Sequence, residues 1–369
     1  MEDNLFRVIG TDGKIDSRFE PEVSDENLRK MYGYLVKVRM LDDRMLVLQR
    51  QGRIGFYVPS TGEEALQVGS VWVLEKDDWI FPAYREPGAA LARGVPLKRI
   101  VEQAYGRATD ASKGRQMPSH FGDREANLVT PSSPVATQIP MAVGAAMAMG
   151  MRKERNVSLV YFGDGATSTG EFHVAMNFAG VFKAPCIFLC KNNQWAISLH
   201  FTRQTASASI AMKAMAYGFE GIRVDGNDIL AVYTSTKHAV DNARLGLGPT
   251  LIEAVTYRMG PHSSSDDPSR YRDAKEVEEW RKRDPITRFR LFLQTKGLWE
   301  EKWEEEIRGK VEEELNAAVK EQEEAPKPSI ESMFTDVYAE MPQNLKEQME
   351  EVMARAGKHR AAESDQFPL

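Results

Sequence analysis

Two triplets carry the strongest chemical signal in the chain. Gly163-Asp164-Gly165 and Lys191-Asn192-Asn193 place Asp164 and Asn193 29 positions apart. Val157 to Phe162, before the first triplet, is a β-rich uncharged run, the pattern of a buried parallel strand. Between the triplets the pattern predicts a helix from about Thr169 to Phe182, stopped by Pro185, and then a second buried strand, Cys186 to Cys190. A strand–helix–strand crossover makes its strands parallel. Asp164 and Asn193 are therefore expected side by side at the sheet edge where open parallel sheets bind ligands. A carboxylate and an amide oxygen suit Mg²⁺, which keeps its other positions for phosphate oxygens and water. Gly163 and Gly165 let the backbone approach a diphosphate, and the following helix is expected to aim its free N–H groups at it. The pattern points to a Mg²⁺–diphosphate site. A dinucleotide fingerprint fits less well, because Ser168 stands where its third glycine belongs and Asp164 would face the pyrophosphate. Either triplet alone reads more simply as a turn or an incidental Asn pair.

Several elements must position these groups. Ser24 is a candidate N-cap for a long amphipathic helix with Leu28, Met31, Leu35, Val38, Leu41, Met45 and Leu48 on one stripe. The loop Phe56 to Glu64 opens a helix over 63–74, and Trp79-Ile80-Phe81 is a short strand. Arg85, just past that strand, can grip a phosphate with two parallel donors; a lone Arg is more often surface. A strand, turn and helix cap follow over Gly221 to Asp228, and Thr250 to Thr256 is another buried strand. At least four strands alternating with helices predict a doubly wound parallel α/β sheet. His262, beyond the last strand, would share the edge with Asp164 and Asn193 and could move protons there. Two irregular loops, Lys113 to Gly122 with His120, and Ser132 to Gln138, suit function on a rigid scaffold, although His120 alone would more often be structural. The Ala/Gly/Met-rich helix Pro140 to Met151 would admit close approach by another helix or subunit, or lie in the chain's own core. Helices are expected over 207–217, 229–243, 276–283, 286–296, 300–324, 330–341 and 344–356, with a Pro-containing linker at 325–328. The organisation expected is an N-terminal arm over 1–22, an α/β domain over 23–297 and a helical tail over 298–369, whose last dozen or so residues are polar.

The chain has 369 residues and a net charge of −6, which gives no electrostatic case for nucleic acid. Its two cysteines, Cys186 and Cys190, lie in one apolar run and read as buried small side chains. That usage suits a reducing cytoplasm. The N-terminus lacks the pattern of a signal peptide. The uncharged stretch Ala126 to Met151 is broken by Pro131, Pro134 and Pro140, too short an apolar run to span a bilayer.

With 26 residues between Gly165 and Asn192, the central unit matches the thiamin diphosphate signature. Together with FYVPSTGEEA, PAYREPG, GKGRQMPSHFG, SSPVATQIP, KNNQWAIS and RMGPHSSSDDPSRYR, it resembles the alpha subunit of the thiamin-dependent decarboxylating component of 2-oxo acid dehydrogenase complexes. The resemblance runs from the Ser24 helix to about Lys346, and GKGRQMP with SSPVATQIP is most similar to the branched-chain members. It implies a thiamin diphosphate-binding fold with Mg²⁺ on Asp164, Asn193 and the Trp195 carbonyl. It implies cofactor contacts from Tyr84, Arg85, Ser133, Pro134, Val135, Gly163, Gly165, Ala166, Thr167, Ala196, Ile197 and Arg258. His262 would assist acyl transfer to a lipoyl arm, with His120 as a second catalytic candidate. Phe56, Tyr84, Met117, Pro118, Ser119, His120 and Ser133 would line a pocket for a small 2-oxo acid, and Ser132, Pro134, Thr137 and Gln138 match a potassium loop of some members. Ser263 is a hypothetical phosphate acceptor. Where many members carry Arg, Gly and Tyr around the Asn pair, this chain has Lys191, Gln194 and Trp195.

Ylid formation in this family takes a Glu from a separate beta subunit, so the resemblance implies an α₂β₂ assembly serving a lipoyl-bearing acyltransferase core. The expected reaction is oxidative decarboxylation of 3-methyl-2-oxobutanoate-type acids. The same reaction on pyruvate or an acetoin-cleaving activity, a non-catalytic scaffold subunit, and a nicotinamide oxidoreductase are the alternatives, in that order.

Overall fold

The computed structural model describes residues 5–359. Residues 1–4 of the arm and the polar end of the tail, 360–369, lie outside the described residues. Five strands form one parallel sheet: β1 (Trp79–Phe81), β2 (Ser158–Gly163), β3 (Cys186–Asn192), β6 (Glu220–Asp225) and β7 (Thr250–Val255), in the order β1-β2-β3-β7-β6. A two-stranded ribbon, β4 (Trp195–Ala196) and β5 (Leu199–His200), follows β3. Ser158 pairs with Cys186 and Gly163 with Lys191, while Asn192 pairs with Val255. The ends of β2, β3 and β7 therefore stand next to one another.

Helices cover both faces of the sheet, and the strands are apolar on both sides for that reason. Leu159 and Tyr161 of β2 and Ile187 and Leu189 of β3 face α1 (Asp25–Arg50), α2 (Glu64–Val71), α7 (Ile229–Arg244) and α9 (Pro285–Thr295). Val160, Phe162, Phe188 and both cysteines face α5 (Gln138–Met151) and α6 (Gly170–Phe182). Ser24 caps α1, accepting from the Asn27 amide at 3.3 Å. The arm joins the sheet rather than lying loose: Phe6 bridges Val224, and the amides of Val8 and Ile9 donate to buried Asp228.

The remaining helices are α3 (Pro87–Ala92), α4 (Leu97–Tyr105), α8 (Ala274–Arg281), α10 (Glu301–Glu324), α11 (Ser332–Thr335) and α12 (Gln343–His359). Two sequence expectations change. The helix expected over 207–217 is a 3₁₀ segment, Ala211–Tyr217, whose entry is set by Glu253 accepting from the Ile210 and Ala211 amides. The helix expected over 330–341 shrinks to the single turn α11: Met333, Val337 and Tyr338 are exposed, and Asp336 is drawn to Lys113 and Arg115. The helix expected after the triplet, from about Thr169 to Phe182, is present as α6. A 3₁₀ turn, Asp164–Ser168, intervenes, and α6 is capped by Thr169.

Candidate active site at the sheet edge

Four of the five strand ends each deliver one part of a single cavity of about 360 Å³. The segment after β1 supplies Tyr84 and Arg85, the turn after β2 supplies Gly163, Asp164, Gly165 and Ala166, and the segment after β3 supplies Asn193, Trp195, Ala196 and Ile197. Arg258 and His262 come from the segment after β7, and Ser132, Pro134 and Val135 from the loop before α5. The neighbouring strands explain the convergence, because β3 pairs with both β2 and β7. Gly165 packs so closely that a Cβ there would stand 2.8 Å from that of Ala196, whereas a Cβ at Gly163 would enter open space.

The charged groups of the wall are buried. Asp164 is 2% exposed, and burial raises its carboxyl from 3.8 to about 6. Gln204 Nε2 donates to its Oδ2 at 2.5 Å. Asn193 donates through Nδ2 to Glu63 Oε1 at 2.6 Å, and its Oδ1 accepts from the Trp195 amide at 3.2 Å. Glu63 is fully buried, yet Lys191 and Arg85 outweigh the burial and hold its carboxyl below the usual range. Lys191 lines the cavity, but its ammonium is committed to Glu63 at 3.2 Å and to Glu86.

Two guanidinium groups stand near one another, with Glu63 the carboxylate close to both, 3.9 Å from Arg85 Nε. Arg85 donates to the Pro59 carbonyl and, at 2.8 Å, to the His262 carbonyl. Arg258 donates to the carbonyls of Trp195 at 3.1 Å and Ile197 at 2.7 Å and to the Tyr271 hydroxyl at 2.8 Å. Its buried Nε has no partner, and burial with Arg85 nearby lowers its proton affinity. An anion would relieve that excess of positive charge. Burial first, then Arg85 and Arg258, lower His262 to about 4, so its imidazole is neutral near pH 7. Its Nδ1 stands 3.3 Å from Arg85 Nη2, a donor only, which leaves the ring proton on Nε2.

Of the other candidates, Phe56, Met117, Pro118, Ser119, His120, Ser133, Thr137, Thr167 and Ser263 lie off the cavity wall, whereas Ser132 and Gln138 line it. Phe56 and Pro118 are half-buried, Met117 is exposed, and Ser119 is buried in a left-handed backbone with φ 69°. His120 stacks on Tyr84 with ring centroids 6.2 Å apart and hydrogen-bonds the exposed Ser133 at 2.8 Å, so it joins the site through those two residues. Thr167 is buried and ties its hydroxyl to the Asp164 carbonyl at 2.8 Å. Ser132 and Thr137 hydroxyls meet at 2.5 Å, Thr137 donates to the Pro134 carbonyl, and Gln138 donates to the Tyr161 carbonyl at 2.8 Å. Ser263 is buried, its hydroxyl accepting from the Ser265 amide. Sequence reasoning missed Gln204 and the orienting role of Glu63. Gln204 sits in an irregular stretch with no signal, and Glu63 stood inside FYVPSTGEEA without a chemical reading.

The residues present fit a divalent cation with a diphosphate. The Asp164 carboxylate, Asn193 Oδ1 and the Trp195 carbonyl each keep at least one lone pair after the bonds above. Among the described residues no cluster of three or more His, Cys, Asp or Glu could hold a metal, and Mg²⁺ needs none, since it takes one or two carboxylates plus phosphate and water.

An open parallel sheet with a carboxylate, an amide oxygen and two buried guanidiniums at its C-terminal edge defines an α/β enzyme that works on or through a phosphorylated ligand. The chain belongs to the dehydrogenase E1 component family, whose model matches residues 32–331. It is 44% identical over 346 residues to the mitochondrial 2-oxoisovalerate dehydrogenase subunit alpha 2 of Arabidopsis thaliana, covering 93% of this chain and 73% of that protein. The mitochondrial 2-oxoisovalerate dehydrogenase subunit alpha of Caenorhabditis elegans is 44% identical over 372 residues, covering 99% and 84%. The 3-methyl-2-oxobutanoate dehydrogenase subunit alpha of Mycobacterium tuberculosis is 45% identical over 353 residues, covering 94% and 93%. Among the described residues no helix is long and apolar enough to cross a membrane.

Proposed function

We propose that this chain is the alpha subunit of a thiamin diphosphate-dependent dehydrogenase that decarboxylates branched-chain 2-oxo acids and passes the acyl group to a lipoyl-bearing acyltransferase core. One observation carries the reading: Asp164, Asn193, Arg85 and Arg258 share one cavity although they come from four strand ends. The printed names of the relatives favour 2-oxoisovalerate over pyruvate.

Asp164, Asn193 and the Trp195 carbonyl would hold Mg²⁺, and Arg85 and Arg258 would neutralise the diphosphate. Bound thiamin diphosphate would supply the electron sink for the pair released as CO₂ departs. His262 keeps its proton on Nε2 and offers it as a hydrogen-bond donor to the acyl oxygen. His120 and Tyr84 shape the substrate end, with Phe56, Met117, Pro118, Ser119 and Ser133 beyond them. The oxygens of Ser132, Pro134 and Thr137, already within contact of one another, and the amide oxygen of Gln138 would receive K⁺.

Asp164 is the one carboxylate lining the cavity among the described residues, and it is assigned to the metal. Glu63 and Glu86 are spent on Lys191. The carboxylate that acts on the cofactor's aminopyrimidine ring must then come from another chain, the beta subunit of an α₂β₂ assembly. Such an enzyme would work in the reducing cytoplasm, which its buried free thiols permit. The test is turnover of 3-methyl-2-oxobutanoate and pyruvate by this chain with and without its beta partner. The reading requires activity only with the partner and a higher kcat/KM for the branched acid. Equal or greater turnover of pyruvate, or decarboxylation by the chain alone, would overturn it.

A further inference from the structure

The strap 57–61 between α1 and α2 touches three parts of the site at once. Pro59 offers its carbonyl to Arg85. The Thr61 carbonyl accepts from the Met259 amide at 3.1 Å, one residue beyond Arg258. Tyr57 pairs in both directions with Ser264, its amide donating to Ser264 Oγ at 3.0 Å and its carbonyl accepting from the Ser264 amide at 2.8 Å. The strap thus grips both flanks of the His262 segment. The far side of that segment is pinned separately, by Asp266 to the His262 amide and by Arg272 to the Met259 and Gly260 carbonyls.

The strap itself is held by one carboxylate that faces away from the cavity. Asp42 of α1 is fully buried. Its Oδ1 accepts from the Tyr57 hydroxyl at 2.9 Å. Its Oδ2 accepts from the Ser60 amide at 2.7 Å and from the Ser60 and Thr61 hydroxyls at 3.1 Å each. Four donors on one carboxylate are far more than helix packing needs, and an Asp in a helix interior has poor helix propensity. None of the motifs assigned to the site contains Asp42.

We infer that Asp42 is a positioning residue for the reaction, acting through the strap 57–61 to fix Arg85 and the His262 segment. The inference rests on the reading of Arg85 and His262 as site groups. An anionic Asp42 accepts all four donors, whereas a protonated one carries a donor of its own, so that one of the hydroxyls must turn to accept from it and its bond to the carboxylate is lost. Burial, then the Glu64 carboxylate of α2, raise its carboxyl to about 7, against the Tyr57 and Ser60 hydrogen bonds that lower it. Glu64 is in turn paired with Arg39, which also meets Asp284, and Arg85 stands near Tyr57. Within that environment the strap's own hydrogen bonds are what favour the carboxylate form.

The test is Asp42→Asn in the complex with the beta subunit, read by amide hydrogen exchange and by kinetics. The Met259 and Ser264 amides, which donate to the strap, should exchange about tenfold faster or more, while the β2 and β3 amides stay protected. The kcat should fall about tenfold with the KM of the 2-oxo acid within about twofold. Thr61→Val, which removes one donor and keeps Asp42, should give a smaller change of the same pattern. Unchanged exchange at Met259 and Ser264, or an increase spread evenly over the chain, would overturn the inference. Failure of the wild-type complex to bind thiamin diphosphate would instead overturn the functional reading and leave the exchange result to judge the strap.

Discussion

Asp164 pays for its place with a buried charge. Its carboxyl is raised by burial from 3.8 to about 6, and a shift of that size is worth about 3 kcal/mol of stability. The sign follows from the raised value: the native state binds the proton more tightly, so stability is highest below about pH 4 and falls as pH rises through about 6. Asp164→Asn should therefore melt higher than the wild type at neutral pH without metal and lose that pH-dependent drop. With Mg²⁺ and thiamin diphosphate the order should reverse, because only the wild type gains from binding. Thermal scans at several pH values, with and without both ligands, decide it; a variant that melts lower in every condition would contradict the account. At this scale the sequence was partly legible. Asp164 and Asn193 declared themselves through a spacing that a crossover turns into proximity. Glu63 and Gln204 did not, because they act on Asn193 and Asp164 by hydrogen bonds spanning 130 and 40 positions with no local pattern. Lys191 could be located but not assigned, since only the coordinates show its ammonium turned to Glu63 and Glu86.

Elements were legible where one periodicity dominated. The apolar stripe of α1 and the uninterrupted runs of β2, β3 and β7 leave few alternatives. The segment after α10 was misread because helix-forming residues there have no partner surface: Val337 and Tyr338 stay exposed and the chain turns to reach Lys113 and Arg115. The converse holds for α10, a highly charged helix whose narrow stripe of Val311, Leu315, Ala318 and Val319 is buried with Leu41, Leu48 and Leu97. That contact joins the tail to α1, the helix that carries Asp42. Leu315→Ala should cost about 2–5 kcal/mol and lower the melting temperature, while Lys310→Ala on the exposed side should change stability by no more than about 0.5 kcal/mol. Equal effects in denaturant melts would mean that α10 is not integral to the fold.

The whole molecule leaves a large apolar surface uncovered. On α6, Val174, Phe178, Val181 and Phe182 are all about half exposed or more, and neighbouring α5 adds Met141 and Met151. Both faces of α6 are apolar, so sequence alone cannot tell which one meets the sheet; the inner face turned out to be Phe172, Ala175, Met176 and Ala179. The small residues of α5 hinted at close approach by a neighbour, and an exposed Gly144 with nothing near it keeps that approach open. Patches of this extent on a folded chain mark protein–protein contact. Val135 and Ile197 are exposed residues of the cavity wall, on which Asp164 is the one carboxylate among the described residues. A beta subunit seated on α5 and α6 would cover the patch and complete the wall together. Phe178→Asp should then weaken assembly by about thirtyfold or more, the loss typical of a charge forced into the centre of an interface. Because Phe178 is exposed in the isolated chain, the substitution should leave that chain's own melting temperature nearly unchanged. Size-exclusion chromatography of the co-expressed subunits gives the first quantity and a melt of the alpha chain alone gives the second. A variant that still assembles fully would move the partner's seat to another face, and one that melts early would make Phe178 part of the chain's own core.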